Sequence, residues 1–366
     1  MRITTSKENL LLAVNAVQRA INSRSIIPMY SCIKITAADD KAIFTGAGLD
    51  VGIECTVPVL VEQEGTVLAP ARHFSDIVRR LPDIPITLEH SDSAEMTIRY
   101  EKSVFTLRTI PADDFPQMPV FGDHMDMTIP ADTIKKLIRQ STFAASTDEL
   151  KAVFTGILWE VDGDEISLVG TDTHRLAWAR GQVTPMGDAA KLSFIIPAKI
   201  AIEISRLIQD DACSIKVDGT TVFFSFDNIR ISCQQLQGSF PNYRQVIPAS
   251  FITTVRAEGS SFRNVVERIS LFATATDSSS TINMEIRDGS LSIHSRSDIG
   301  FGREEIPVRQ EGEDLDISFN ARYIGDAFKA TEGDEICIKL SGKLSAGVMT
   351  DEQDSDFLYL VLPVRV

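Results

Sequence analysis

Three stretches of this 366-residue chain follow one plan. They are IKITAADDKAIFTGAGLDVGIECTVPV from Ile33, GILWEVDGDEISLVGTDTHRLAWARGQV from Gly156, and INMEIRDGSLSIHSRSDIGFGREEIPV from Ile282. Each reads as an alternating strand, a turn built on Asp or Asp-Gly, a second strand, a short polar loop and a third alternating strand, which is a β-meander. Self-similarity at a fixed period constrains a fold more than any single motif does, because every copy must bury the same faces. A helical segment follows each meander: APARHFSDIVRRL (69–81), IPAKIAIEISRLI (196–208) and FNARYIGDAFKA (319–330). Pro or Asn precedes an Ala-Arg or Ala-Lys pair, and apolar residues then recur at helical spacing. Ala71, Ala198 and Ala321 mark steps of 127 and 123 residues.

Each copy also opens on a strand and a helix: MRITTSKENLLLAVNAVQRA, MTIPADTIKKLIRQSTFAA from Met127, and TTVRAEGSSFRNVVERISLFA from Thr253. Copies one and two close on PADDFPQMP and QGSFPNYRQVIP, with Pro116 and Pro241 lying 125 residues apart; copy three closes on DSDFLYLVLPVRV. The expected fold is α+β. It consists of three tandem domains, 1–122, 123–251 and 252–366, with boundaries near Asp123 and Ile252. Each domain is expected to pack two helices on antiparallel sheets of about eight short strands.

GTDTHRLAWARG (170–181) gathers Thr171, Asp172, Thr173, His174 and Arg175 in one inter-strand loop, the raw material of nucleophilic or metal chemistry. The repeat aligns Thr171-Asp172 with Ala47-Gly48 and with Ser297-Asp298. The other histidines, His73, His90, His124 and His294, stand at no ligand spacing, and HExxH, GxSxG and CxxC are absent. A zinc or serine-hydrolase site therefore lacks its constellation. Two uses of the loop remain ahead of catalysis: satisfying its own amides, or binding a partner. GAGLDVG (46–52) is followed by a strand pattern, VGIECTV, rather than the helix that would hold a pyrophosphate. The GK of SGKLSAG lacks the earlier glycine of a P-loop. No catalytic residue, metal or cofactor is expected.

Five scattered cysteines (Cys32, Cys55, Cys213, Cys233, Cys337) suit reduced thiols. The N-terminal apolar patch, LLLAV, is too short for a signal peptide, and no apolar run approaches the roughly 20 residues that span a bilayer. A soluble cytoplasmic protein with no membrane partner is expected.

The formal net charge is −15, which by itself argues against nucleic acid. The distribution argues differently. Fourteen of the 36 Lys and Arg lie on the six expected helices: Lys7, Arg19, Arg72, Arg79, Arg80, Lys135, Lys136, Arg139, Lys199, Arg206, Arg263, Arg268, Arg322 and Lys329. Acids crowd loops such as EGEDLD (311–316) and DEQDSD (351–356). Equivalent helices would repeat a positive surface suited to phosphates and indifferent to base sequence.

In VGTDTHRLA, PADDFP, GSFPNYRQVIP, FNARYIGDAFKA and the terminal YLVLPVRV, the chain resembles the bacterial sliding clamps, the beta subunits of DNA polymerase III, over its whole length. The resemblance implies a head-to-tail homodimer whose six domains ring duplex DNA and confer processivity on the replicative polymerase. It implies an apolar peptide pocket, taking short motifs of the polymerase alpha subunit, the clamp loader, other polymerases and repair proteins. The pocket residues carried over are Phe154, Thr171, His174, Arg175, Leu176, Pro241 and Val246, with Asn320, Tyr323, Leu344, Val361, Leu362, Pro363, Val364 and Arg365. For DNA it points to Arg24 and Lys199, beside the helical Arg72, Arg79, Lys135, Lys136, Arg139 and Arg206. For ring closure it points to Phe105 and Leu107 against Leu271 and Phe272.

Two departures bear on the pocket: Gln245 stands where well-known relatives carry arginine, and Ser279 replaces a bulky apolar residue. Gly48 replaces the Asp of the Thr-Asp pair, which fits a first domain without the peptide site. The tail is expected to finish the last sheet as an edge strand stopped by Pro363, leaving Val364-Arg365-Val366 to line the groove opposite Leu176 and Val246. An enzyme using Asp172 and His174, and a repeat-built peptide scaffold that never encircles DNA, are the alternatives.

Overall fold

In a computed structural model of the chain, the structure is described for residues 1–21, 25–91, 94–119, 122, 124–186, 191–209, 211–273, 280–331 and 333–365. The elements run three times through one order. The first round is β1 (Arg2–Thr5), α1 (Lys7–Val17), β2 (Cys32–Ala38), β3 (Lys41–Ala47), β4 (Val51–Pro58), β5 (Leu60–Gln63), β6 (Gly65–Pro70), α2 (Ala71–Arg80), β7 (Ile86–His90), β8 (Glu95–Tyr100) and β9 (Ser103–Arg108). The second is β10 (Met127–Pro130), α3 (Ala131–Thr142), β11 (Gly156–Asp162), β12 (Glu165–Thr171), β13 (Arg175–Gln182), β14 (Thr184–Pro185), β15 (Lys191–Pro197), α4 (Ala198–Leu207), β16 (Ala212–Asp218), β17 (Thr221–Phe226) and β18 (Ile229–Gln234). The third is β19 (Thr253–Glu258), α5 (Gly259–Ser270), β20 (Thr281–Arg287), β21 (Ser290–Ser297), β22 (Gly300–Pro307), β23 (Arg309–Gly312), β24 (Leu315–Asn320), α6 (Ala321–Ala327), β25 (Glu335–Leu340), β26 (Gly347–Asp351) and β27 (Asp354–Val361). Among the described residues each round has nine strands rather than eight; β5, β14 and β23 are two to four residues long, too short to register as alternation.

Local chemistry explains the repeated order. The first hairpin of each round turns through Asp39-Asp40, Gly163-Asp164 or Asp288-Gly289, with positive φ at Asp39, Asp40, Gly163, Asp288 and Gly289. Asp and Gly tolerate that left-handed region, and the right-handed twist of the flanking strands demands it. Pro70, Pro130 and Pro197 stand immediately before α2, α3 and α4. Ser6 caps α1 by accepting the Asn9 N–H at 3.2 Å, and Asn320 caps α6 by accepting the Arg322 N–H at 2.9 Å.

Each round contributes a five-stranded and a four-stranded sheet, and the rounds fuse them. The five-stranded sheet of round one is ordered β5-β1-β7-β8-β9 and stands alone. Its four-stranded sheet continues into the five-stranded sheet of round two, giving β14-β10-β16-β17-β18-β4-β3-β2-β6. The four-stranded sheet of round two likewise continues into round three, as β15-β11-β12-β13-β27-β26-β25-β19-β23. The last sheet, β22-β21-β20-β24, stands alone. The joining ladders are antiparallel: Ile53 faces Ile231 across β4–β18, and Ala177 faces Tyr359 across β13–β27. Two compact units result, and both cut through round two. One holds 1–131, 184–189 and 206–235; the other holds 132–183, 190–205 and 236–366.

The strand register corrects one sequence alignment. The first hairpins pair Ala38 with Lys41, Asp162 with Glu165 and Arg287 with Ser290. Counting along the second strand from there, Thr171-Asp172 corresponds to Ala47-Gly48, as expected, but to Arg296-Ser297 rather than Ser297-Asp298. In the same register Gly46, Gly170 and Ser295 are equivalent. A Cβ on Gly46 would lie 2.2 Å from the Val17 carbonyl oxygen, and one on Gly170 would lie 2.3 Å from that of Ser141. The missing side chain lets the end of the first helix lie on the strand. In round three a buried Ser295 takes the place, its hydroxyl donating to the Thr281 carbonyl at 2.8 Å.

The tail also differs from expectation. β27 is an interior strand between β13 and β26, not an edge. Beyond it the Val364 N–H donates to the Ser318 carbonyl at 2.8 Å. Leu236 makes the equivalent return to Ile195 at 2.9 Å, and Ile110 to Leu68 at 3.4 Å. The chain end thus repeats how the first two rounds close; Val366 lies outside the described residues. All five cysteines are buried and unpaired with one another. Burial pushes the Cys55 and Cys213 thiols up to about 12, so they are unreactive near neutrality.

Gly46→Ala tests the helix–strand approach. The new methyl can be accommodated only by moving backbone, at a cost of about 1–3 kcal/mol. The thermal midpoint measured by circular dichroism should fall by several degrees, whereas Gly163→Ala, at a turn with open space around it, should act only through its positive φ.

Candidate functional site

The connection between β12 and β13 is tied by its own side chains. Thr171 Oγ1 donates to the Arg175 carbonyl at 2.6 Å and accepts the Thr173 N–H at 3.2 Å. Asp172 Oδ1 accepts the N–H groups of His174 and Arg175 at 2.9 and 3.0 Å. These bonds hold Thr173 at φ +81°, a conformation uncommon for a β-branched residue. The second Asp172 oxygen accepts the Arg175 Nε at 2.9 Å. Two acceptor atoms therefore serve three donors, and the carboxylate is committed to structure.

Arg175 opens β13 with its guanidinium almost entirely buried. Its Nη1 donates to Asp326 Oδ2 of α6 at 2.5 Å, and its Cζ lies 4.5 Å from the Tyr323 ring centroid and 5.9 Å from the Phe143 ring centroid. Burial works against its charge, but the hydrogen bonds to Asp326 and to the Tyr359 phenol and the charge of Asp172 outweigh that and hold the guanidinium above its ordinary value. Burial pushes the Tyr359 phenol up, so it stays protonated and donates to the Tyr323 carbonyl at 3.0 Å.

Beside this network lies a cavity of about 300 Å³. Of the residues expected there, Phe154, Thr171, His174, Arg175, Leu176, Pro241, Val246 and Leu362 line it. Thr173, Asn242, Tyr243 and Leu360 also line it and were missed. Leu360 belongs to the same apolar tail run, and Tyr243 to the same GSFPNYRQVIP stretch, so the signal was present in both. The floor is the packed cluster of Leu158, Val169, Leu176, Tyr243, Val348 and Leu360. Tyr243 is fixed from behind by its hydroxyl, which donates to Glu160 at 2.8 Å. Val246 and Leu362 are half exposed at the mouth, and the Leu362 N–H donates to the His174 carbonyl at 2.9 Å. A cleft of this size, with apolar walls and few polar groups, suits the side chains of an extended peptide.

Seven of the expected residues do not line the cavity. Asn320 is spent capping α6, and Tyr323 lies against Arg175. Val361 is buried in the ladder opposite Arg175 and Gly347. Pro363, Val364 and Arg365 are drawn past the cavity by the bond to Ser318. Leu344 is exposed on the β25–β26 connection. Gln245 is exposed in a 3-10 turn over Tyr243–Val246, and Ser279 lies outside the described residues.

The basic residues divide similarly. Arg72, Arg79, Arg139, Lys199 and Arg206 are exposed on their helices, and Lys135 is half-buried. Lys136 pairs with Asp354 at 2.9 Å, where Gln140 also donates at 2.7 Å. Arg79 donates to Gln18 at 2.7 Å. With Arg19 and Arg206 it lines a cavity of about 530 Å³. Arg24 lies outside the described residues. Phe105 is exposed and Leu107 half-buried on β9; Leu271 is 70% exposed just after α5, and Phe272 lies under Gly300 and Gly302 of β22. None of these four is ordinary core.

Comparison with known proteins gives a family for all three rounds. Residues 1–119, 128–242 and 244–365 match the N-terminal, central and C-terminal domains of the DNA polymerase III beta subunit. The chain is 33% identical to the beta sliding clamp of Bacillus subtilis and 31% identical to that of Synechocystis, each over the whole of both chains. Its structure is similar to that of the DNA polymerase sliding clamp of B. subtilis, with a TM-score of 0.95 and 32% identity, covering 100% of this chain and 99% of the other. It is also similar to a Pseudomonas aeruginosa sliding clamp bound to griselimycin, with a TM-score of 0.94 and 25% identity, covering 100% of both.

Asp172→Ala should leave two loop amides without their acceptor and the buried Arg175 guanidinium with one carboxylate, Asp326, in place of two. Losing hydrogen bonds to a charged group costs about 1.5–3 kcal/mol. Urea unfolding followed by tryptophan fluorescence should register a loss in that range. A loss below about 1 kcal/mol, the size expected of an exposed pair, would mean that the network carries little of the stability.

Proposed function

Because the chain belongs to the DNA polymerase III beta-subunit family, the beta sliding clamps, we propose that two copies close head to tail around duplex DNA. In this reading the protein is a DNA sliding clamp, a non-catalytic cytoplasmic subunit that keeps the replicative polymerase on its template. The observation that carries the reading is the pair of unjoined sheet edges. β4 and β18 join round one to round two, and β13 and β27 join round two to round three. By the same rule β22 of round three needs a β9, and β9 of round one needs a β22. Among the described residues neither has a partner strand on its outer side. Long open edges are a liability that proteins cover or pair. A second copy supplies both missing strands at once, and two such contacts close under a twofold axis.

The repeat supports a register for that ladder. Leu107 corresponds to Cys233 and Val361, and Gly300 corresponds to Val51 and Arg175, which those residues face. Leu107 of one protomer would then face Gly300 of its partner, and Phe105 would face Gly302. Phe272 underlies both glycines, so the two apolar pairs converge on one cluster, with Leu271 beside it.

DNA is contacted through phosphates in this reading, by Arg24, Arg72, Arg79, Lys135, Arg139, Lys199 and Arg206, with Lys136 exchanging Asp354 for a phosphate. The cavity lined by His174, Leu176, Val246 and Leu362 takes apolar motifs of the polymerase alpha subunit, the clamp loader, other polymerases and repair proteins. The commitment of Asp172 to its own loop supports a binding use of that loop over catalysis.

Two measurements test this reading. Replacing Phe105 and Leu271 together by Ala removes contacts worth about 2–5 kcal/mol per large buried side chain. Sedimentation at nanomolar concentration should then give monomers that remain folded; a persistent dimer would place the contact elsewhere. Protein loaded on nicked circular DNA should be retained and should run off after linearisation. Its residual affinity for DNA should fall steeply with salt and ignore sequence. Equal retention on both forms would contradict encirclement.

A further inference from the structure

The cavity beside the Thr171–Arg175 loop draws its shape from a residue that does not touch it. Asp326 lies on α6 and is nearly buried, yet it belongs to the third round while the loop belongs to the second. Its Oδ2 holds Arg175 Nη1 at 2.5 Å. Arg175 in turn holds Asp172 at 2.9 Å, and Asp172 holds the His174 and Arg175 amides. The His174 carbonyl then accepts the Leu362 N–H, which fixes the wall supplied by the tail. The Arg175–Asp326 link is a charge-assisted bond out of bulk water and the Asp172–Arg175 links are part-buried, where such bonds are strong and their loss is costly, while the His174 N–H bond to Asp172 at the far end is exposed.

The equivalent positions isolate what this chain of bonds contributes. In round one, Gly48 and Val51 stand at the places of Asp172 and Arg175. Asp76 stands at the place of Asp326 and pairs with Arg79 and Arg80 of its own helix, at 3.9 and 3.8 Å. In round one the acid on the second helix pairs within its own helix, and in round three it is buried against an arginine from the preceding round.

We propose that Asp326 is the positioning residue of the peptide pocket: by neutralising Arg175 it sets the Asp172–His174 loop and the Leu362 wall in the conformation that accepts an apolar peptide. This rests on the reading of the cavity as a peptide site. A corollary concerns ligand chemistry. Arg175 is shared between two carboxylates, so it is not offered as a charge to an acidic peptide side chain, and recognition at this end of the cavity is apolar.

The test uses the full-length dimer and a fluorescent peptide carrying the clamp-binding motif of the cognate polymerase alpha subunit. Asp326→Asn keeps shape and removes charge. It should weaken the peptide at least tenfold, in protein that sedimentation and circular dichroism show to be dimeric and folded. Hydrogen exchange at the His174 and Arg175 amides should accelerate in the same variant. Lys329→Met removes the other cation on Asp326, bound at 2.5 Å but two-thirds exposed, and should change the affinity less than threefold. Asp326→Asn protein that is folded, binds the peptide within twofold of the parent and exchanges those amides at the parent rate would overturn the proposal. So would a Lys329→Met effect as large as that of Asp326→Asn. Failure of the parent protein to bind the peptide would instead overturn the peptide-site reading itself.

Discussion

Antiparallel backbone ladders between successive repeats are the constraint on which this fold depends. No round of the repeat completes its sheets alone. Each offers one edge of its four-stranded sheet and one edge of its five-stranded sheet for joining, and the chain makes two such joins, β4–β18 and β13–β27. The compact units therefore cut across round two rather than between rounds. A sheet edge carries a row of unmet N–H and C=O groups. Among the sheet edges that remain, β9 and β22 are complementary by the rule the chain has already used twice.

The candidate pocket is a product of the same junctions. Where β13 meets β27, Leu360 and Leu362 arrive beside the Thr171–Arg175 loop, and the cavity measures about 300 Å³. Where β4 meets β18, the arriving residues are Ser232 and Gln234. There the loop is Gly48-Leu49-Asp50, and the cavity is only about 180 Å³. Gly52 stands at the place of Leu176, and the Met118 thioether closes on it. One backbone arrangement thus carries two different surfaces. Only the one with apolar walls and the Asp172–Arg175–Asp326 strut has the character of a peptide site.

Much of this was readable from residue patterns because local chemistry enforces it. Asp and Gly at the hairpin turns, Pro or Asn before the helices, and alternation in the long strands all act within a few residues. Four features were not readable, each for a physical reason. The shortest strands, such as Thr184–Pro185, have no period to detect. The register of round three slipped by one residue because its loop, SRSDIG, offers two plausible positions for a polar pair, and only strand pairing decides between them. The course of the tail depends on Ser318, and the Arg175 network depends on Asp326, 151 residues away. Of the residues assigned to the pocket, those near the Thr171–Arg175 loop line it. Those placed after Pro363 do not, because a backbone bond takes them elsewhere.

The most direct test of the account is a covalent one. Thr106 and Phe301 fall opposite each other in the ladder inferred between protomers, both are exposed, and the five native thiols are buried. Opposed residues on antiparallel strands bring their Cβ atoms about 4.5–5.5 Å apart, within reach of a disulfide after small adjustment. A Thr106→Cys, Phe301→Cys protein should oxidise to a species of twice the subunit mass on a denaturing, non-reducing gel, and a loaded ring so closed should stay on circular DNA in high salt. Oxidation that leaves only monomer, or that cross-links Val104→Cys to Phe301→Cys more efficiently, would contradict the pairing of β9 with β22 in this register.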